Sequence, residues 1–205
     1  MTAYSYRTIK SPSQGSYKEK GSRFLSFAYP VDTEGAVRLH LDQLRQEYFD
    51  ARHHCYAWML GPEKKQFKAA DDGEPSHSAG DPILGQIRSS DLTQILIVVV
   101  RYFGGIKLGV GGLIQAYREA AVDAIRNAVI IEEEVLVNAT VIYPFDKTPE
   151  VMRMIKDFHV QLVEQSYNTH CALTVQVPLR NQAALHARID QLNIPQRCIE
   201  YNEAI

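Results

Sequence analysis

Long apolar runs are missing from this sequence. No window holds the roughly eighteen uninterrupted apolar residues that a membrane span needs, and the opening stretch MTAYSYRTIKSPSQGSYKEK carries no apolar segment of the secretory kind. A soluble, cytoplasmic protein with no membrane partner is therefore expected. Cysteine is scarce: Cys55, Cys171 and Cys198 cannot all pair, lack zinc spacing and sit in apolar, strand-like surroundings, as reduced, buried thiols would. An excess of charge of one sign is also lacking. The net charge is -2, and up to Glu133 sixteen basic residues face sixteen acidic ones. A wholesale electrostatic grip on nucleic acid is thus absent from the composition, and any RNA contact has to be local. The one basic bias lies near the start, where Arg7, Lys10, Lys18, Lys20 and Arg23 face only Glu19. Internal repeats and low-complexity segments are absent too.

What is present suits two small domains, expected at 1–132 and 135–205, because 205 residues with 45% hydrophobic content exceed one usual core. After a polar lead-in, 23-RFLSFAYPV-31 has the pattern of a strand. Asp32 or Thr33 can cap a helix with the stripe Val37, Leu41, Leu44, Tyr48. A second strand is expected at 54–60, and a long loop from Glu63 to Gly85. The run 95-ILIVVVRYF-103 is apolar on both faces until Arg101, as a central strand would be, and ends in the glycine-rich turn 104-GGIKLGVGG-112 before an alanine-rich helix. Three glutamates, Glu132 to Glu134, are badly placed inside a core and are taken as the joint. The remainder has the order β-α-β-β-α-β: strand 135–145, helix 149–159 capped by Thr148, strands 160–167 and 171–179, helix 182–192 and a last strand near 197–203.

Three features can carry chemistry. The turn with Gly104, Gly105, Gly109, Gly111 and Gly112 joins a strand to a helix, where backbone N–H groups can hold an anion, and Arg101 and Lys107 flank it. It matches neither a P-loop nor a dinucleotide fingerprint, so the glycines equally serve tight backbone geometry. The acidic run Asp71, Asp72, Glu74, with His77 close behind, can hold a divalent metal or simply build a turn. In a strand His53 and His54 point to opposite faces, so at most one can ligate a given metal. No nucleophile stands out, since Cys55 beside two histidines in sequence does not make a dyad. For Arg101 itself two outcomes are open: emergence at the strand end to meet phosphate, or pairing with Asp71, Asp72 or Glu74.

Taken in order, SRF at 22–24, ARHHCYAW at 51–58, DDGEPS at 71–76, AG-x-P at 79–82 and VVRYFGGIKLGVGGLIQAY at 99–117 resemble the YigZ/IMPACT family. One departure is that the family reads GEPSGTAG where this chain has His77 and Ser78 in 73-GEPSHSAG-80. The resemblance implies an α+β protein. Its first domain would be an α/β sandwich with a left-handed βαβ crossover, similar to the C-terminal domain of ribosomal protein five of the small subunit. Its second would be a ferredoxin-like βαββαβ domain similar to domain five of elongation factor G. Eukaryotic members are linked to translational control, through an N-terminal partner-binding domain with no counterpart here. The expectation is a non-catalytic protein that engages RNA, the ribosome or a translation factor through Arg52, His53, Arg101, Tyr102, Lys107 and the glycine turn, with no obligate cofactor. The competing expectation is a metal-assisted phosphoester hydrolase or nucleotide-binding enzyme built on Asp71, Asp72 and Glu74. A blander third is a protein-interaction module without a nucleic-acid role.

Overall fold

The structure, a computed structural model, describes residues 3–194 and 198–203. It is mixed α and β and divides into two compact units, Tyr6–Glu133 and Met1–Ser5 with Glu134–Ile205.

The first unit runs β1 (Ser5–Ile9), β2 (Ser13–Glu19), β3 (Ser22–Pro30), α1 (Glu34–Glu47), β4 (His53–Leu60), β5 (Gln66–Ala70), α2 (Gly80–Ser89), β6 (Ile95–Tyr102), α3 (Gly109–Arg126) and β7 (Ile130–Glu134). Five strands form one sheet in the order β2-β3-β6-β4-β5, and every neighbouring pair is antiparallel. Strands β3 and β4 are consequently parallel to each other, joined through α1 and separated by β6. Ile95 to Val100 of β6 are fully buried, which is why that segment is apolar on both faces. Ile95, Ile97 and Val99 pack with α2 and α3, whereas Leu96, Val98 and Val100 pack with Val37, Leu41 and Leu44 of α1. At about 1.5–3 kcal/mol for each large aliphatic side chain buried, this strand anchors both layers. Thr33 caps α1 by accepting from the Ala36 N–H at 3.3 Å. The alanines of α3, Ala116, Ala120, Ala121 and Ala124, are fully buried and allow close approach to the sheet.

The structure corrects two expectations here. The polar lead-in contains β1 and β2; β2 is an edge strand whose outward residues are solvated, so it shows little hydrophobic signal. The stretch from Glu63 to Gly85 is not one loop, because it holds β5, another exposed edge strand, and the start of α2. Glu132 to Glu134 belong to β7, which pairs with β1 in a two-stranded ribbon where glutamates can stay wet, and the division between the two units falls after Glu133.

The second unit contains β8 (Leu136–Tyr143), α4 (Thr148–Asp157), β9 (Gln161–Tyr167), β10 (Cys171–Pro178), α5 (Gln182–Leu192) and β11 (Glu200–Glu203). Its sheet has the order β11-β8-β10-β9 with antiparallel neighbours. Alternation along β10 buries Leu173, Val175 and Val177 against Val151, Met154, Leu185 and Ile189. Thr148 is inside α4 rather than its cap: a 3-10 turn, Phe145–Lys147, leads directly into the helix, and the Thr148 hydroxyl donates to the Phe145 carbonyl at 2.8 Å. Residue 197, where the last strand was expected to start, lies outside the described residues. Among those residues no helix is long and apolar enough to cross a membrane.

Candidate functional site

One end of the five-stranded sheet gathers most of the residues singled out in the sequence. Arg101 lies in register between Phe24 on β3 and His53 on β4, so these three share the face covered by α2 and α3. The loop between β5 and α2 folds over them. Glu74 reaches in from that loop, and its Oε1 accepts from Arg101 Nη1 at 2.6 Å and from the Tyr117 hydroxyl of α3 at 2.8 Å. The Arg101 and Glu74 side chains are only 8% and 4% exposed, so this is a buried ion pair. The guanidinium also lies over two rings, its Cζ 5.5 Å from the Phe24 centroid and 5.7 Å from that of Phe103. Of the two outcomes open for Arg101, the geometry has the ion pair.

The acidic loop is spent on its own architecture. Asp71 Oδ1 accepts from the backbone N–H groups of Ala79 and Gly80 at 3.0 and 2.9 Å, and its Oδ2 from that of His77 at 2.8 Å. Asp71 thereby caps α2, which has no cap of its own at Ala79. Burial pushes its carboxyl pKa up, but these donors outweigh burial and hold it below the ordinary value. Asp72 Oδ2 accepts from the His54 N–H at 2.7 Å, and its Oδ1 meets Arg45 at 3.4 Å. With Glu74 turned inward to Arg101, the three carboxylates serve three different partners. Among the described residues no three His, Cys, Asp or Glu side chains form a group that could hold a metal.

Cys55 is equally committed. Its Sγ lies 3.0 Å from the Asp71 carbonyl and 3.2 Å from the Tyr117 hydroxyl. Burial pushes both the thiol and the Tyr117 phenol pKa well up, so both are neutral hydrogen-bonding groups rather than nucleophiles. His53 donates from Nδ1 to the Asp72 carbonyl at 2.9 Å, which leaves Nε2 as the acceptor in its neutral form. His54 points to the opposite face, where burial lowers its pKa and favours the uncharged ring.

His77 adopts φ 65°, a left-handed conformation that costs a non-glycine residue strain and that glycine takes freely. The backbone geometry of a glycine is kept with a histidine in its place, whose Nδ1 meets Asp81 at 2.6 Å.

The glycine turn is shorter than the sequence suggests. Gly104 to Leu108 form the loop, Gly105 and Gly109 take positive φ, and Gly111 and Gly112 lie in the first turn of α3. Gly104 has a specific reason to lack a side chain, because a Cβ there would sit 1.9 Å from the Gly21 carbonyl carbon. Its N–H also donates to the Ser22 hydroxyl at 3.1 Å. That contact docks the β2–β3 hairpin on the loop, a relation invisible in sequence. Lys18 pairs across the hairpin with Arg23, Arg23 pairs with Tyr102, and the Arg23 guanidinium lies 5.2 Å from the Tyr102 ring centroid. Lys18, Lys20, Arg23, Arg52 and Lys107 are all exposed around this sheet end. A cleft of about 380 Å³ at the same sheet end is lined by Asp50, Ala51, Arg52, His53, Arg101, Tyr102 and Phe103, so that Arg52 of these cations borders it directly. The hairpin cations belong to this surface, and the signal that could have found them was the basic bias at the start of the chain.

The model for the Impact N-terminal domain matches residues 20–125, which spans this surface. The chain belongs to the IMPACT family. It is 32% identical to IMPACT family member YigZ of Escherichia coli over 83% of this chain and 84% of that protein. It is 35% identical to IMPACT family member YvyE of Bacillus subtilis over 65% of this chain and 61% of that one. A solved structure described as "Crystal structure of an hypothetical protein" matches the fold with a TM-score of 0.76 and 28% identity, over 100% of this chain and 99% of that one.

Proposed function

We propose that this IMPACT family protein is a non-catalytic binder of RNA, acting at the ribosome or on a translation factor in the cytoplasm, as part of translation regulation. The observation that carries the reading is the gathering of Lys18, Lys20, Arg23, Arg52 and Lys107 at the sheet end that holds an aromatic-lined cleft, in a chain whose net charge is only -2. Exposed cations at the same sheet end as Tyr102 and Phe103 suit a phosphate backbone, while His53 supplies an acceptor for a polar edge. Arg101 acts from below, as a brace. The hydrogen bonds that Asp71, Asp72 and Glu74 make within and beneath the loop support reading them as the wall of the site.

The finer fold assignments belong to the same proposal. The parallel pair β3 and β4 with β6 between them supports a first unit similar to the C-terminal domain of ribosomal protein five of the small subunit. The order β11-β8-β10-β9 supports a ferredoxin-like second unit similar to domain five of elongation factor G.

The test is sucrose-gradient fractionation of native lysate together with RNA binding under salt titration. Co-migration with ribosomal particles, and Lys18→Ala, Arg23→Ala, Arg52→Ala and Lys107→Ala each lowering the log-log salt slope by about 0.7 for single-stranded RNA, is the expected result. Free migration with no RNA bound by the folded wild-type protein at low salt refutes the reading.

A further inference from the structure

Phe103 is 60% exposed, and the residues beneath it are arranged at some energetic cost. Taking Arg101 and Glu74 out of water is expensive, and a pair of apolar side chains would fill the same space without that expense. What the ion pair does geometrically is hold a flat cation over the Phe103 ring, 5.7 Å from its centroid, and over the Phe24 ring, 5.5 Å from its centroid. The result is an aromatic ring supported from below, bordering a cleft and open to solvent. Ile106 on the following loop, 56% exposed, and Val110 in the first turn of α3, 53% exposed, are further exposed apolar side chains close in sequence. On the other flank Tyr102 is tied to Asp50 by a 2.7 Å hydrogen bond and faced by Arg23.

Resting on the RNA reading above, we propose that this cleft takes a single unpaired nucleobase, stacked on Phe103, so that the protein selects single-stranded RNA over duplex. At about 380 Å³ the cleft has room for a base. Arg52 borders the cleft, Arg23 faces Tyr102 of its lining, and the exposed Lys18, Lys20 and Lys107 at the same sheet end are available to flanking phosphates. Asp50, Arg52 and His53 supply acceptor and donor groups for the polar edge of the base. A base in an A-form helix is paired and stacked, and the major groove is too narrow to admit a protein wall, so only an unstacked base can enter. Stacking is tolerant of sequence because every base has a π-face, which predicts a preference for strandedness over sequence.

The experiment measures binding of the full chain to a fluorescent twelve-nucleotide RNA, alone and annealed to its complement, at several salt concentrations. Wild type is expected to favour the single strand. Phe103→Ala is expected to weaken single-strand binding between about fivefold and about a hundredfold with the salt slope unchanged, while duplex binding stays the same. Phe103→Trp should keep the preference. Lys18→Ala should do the opposite, weakening both forms and lowering the slope. Equal binding of both forms by wild type, or an unchanged single-strand affinity in folded Phe103→Ala, overturns the base cleft while leaving the RNA reading intact if Lys18→Ala still acts. No RNA binding by wild type at any salt overturns both.

Discussion

The Arg101–Glu74 pair allows a quantitative test, because both side chains are nearly solvent-free and bulk screening does not apply. Replacing Arg101 by Met preserves stem volume and removes the charge. Glu74 would then keep only the Tyr117 hydroxyl as a partner for a buried carboxylate. Breaking one side of such a pair costs about 3–5 kcal/mol, mostly the desolvation of the charge left behind. Glu74→Leu strands the guanidinium and gives up the Tyr117 bond, while the contacts of the guanidinium with Phe24 and Phe103 offset part of the loss, so its cost is also about 3–5 kcal/mol. The double variant Arg101→Met with Glu74→Leu leaves no buried charge. It forfeits the Tyr117 bond, about 1–3 kcal/mol, with Cys55 still beside the phenol.

The double variant should therefore be more stable than Arg101→Met alone, with a coupling energy of about 2 kcal/mol or more. Denaturant unfolding followed by tryptophan fluorescence is the assay. Trp58, the single tryptophan, lies in the core on the α1 side of β4, so the signal reports the first unit and not the second. A loss of about 3 kcal/mol lowers a thermal midpoint by roughly 10 °C for a unit of this size. An Arg101→Met protein within about 0.5 kcal/mol of wild type, or a double variant equal to the sum of the singles, would refute the buried-pair argument.

Three further outcomes follow from the loop and its neighbours. Asp71→Asn should destabilise the first unit by about 1–3 kcal/mol through its three backbone donors, and since the folded pKa of Asp71 is depressed, its stabilisation is present above the unfolded value near pH 4 and lost as pH falls through the folded one. Acid titration of the Trp58 signal should thus flatten in the Asn variant. His54, also depressed in the folded state, stabilises above its unfolded value near pH 6.5 and loses that contribution as pH falls toward the folded pKa, so His54→Gln should remove that part of the pH dependence. Calorimetric titration of the full chain with magnesium or manganese should show no micromolar site at Asp71, Asp72 and Glu74, and a site abolished by Asp72→Ala would contradict the assignment of these carboxylates to the fold.

Much of the fold was legible in the sequence because its core elements carry strong periodic signals. The run of β6, the stripe of α1 and the alternation along β10 follow from burial on two faces, one stripe and one face respectively. What escaped notice was polar: β1, β2, β5 and β7 are edge or ribbon strands, held by backbone pairing that leaves no pattern in side chains. The site was legible as a set of residues and not as a set of roles. Arg101 at the end of an apolar strand announced either an ion pair or a ligand contact, and only the approach of Glu74, 27 residues away in sequence, decides between them. Asp71 looked like turn chemistry or a cation ligand because its three backbone donors sit six to nine residues downstream, beyond a local motif.

His77 ties the loop's strain to the site's shape. The residue holds φ 65° because its N–H must point at Asp71 Oδ2, and the same turn starts α2 and presents Glu74 to Arg101. Glycine at 77 would relieve the left-handed strain and keep the N–H, giving up only an exposed contact with Asp81. His77→Gly is accordingly expected to raise the thermal midpoint of the first unit near neutral pH. The gain should grow as pH rises, since the raised pKa of His77, caused by its hydrogen bond to Asp81, means that the pair's small contribution is present below pH 6.5 and lost as pH climbs through the folded value. A midpoint that falls in the glycine variant at pH 8 would show that the imidazole supports the loop in some way other than through its charge.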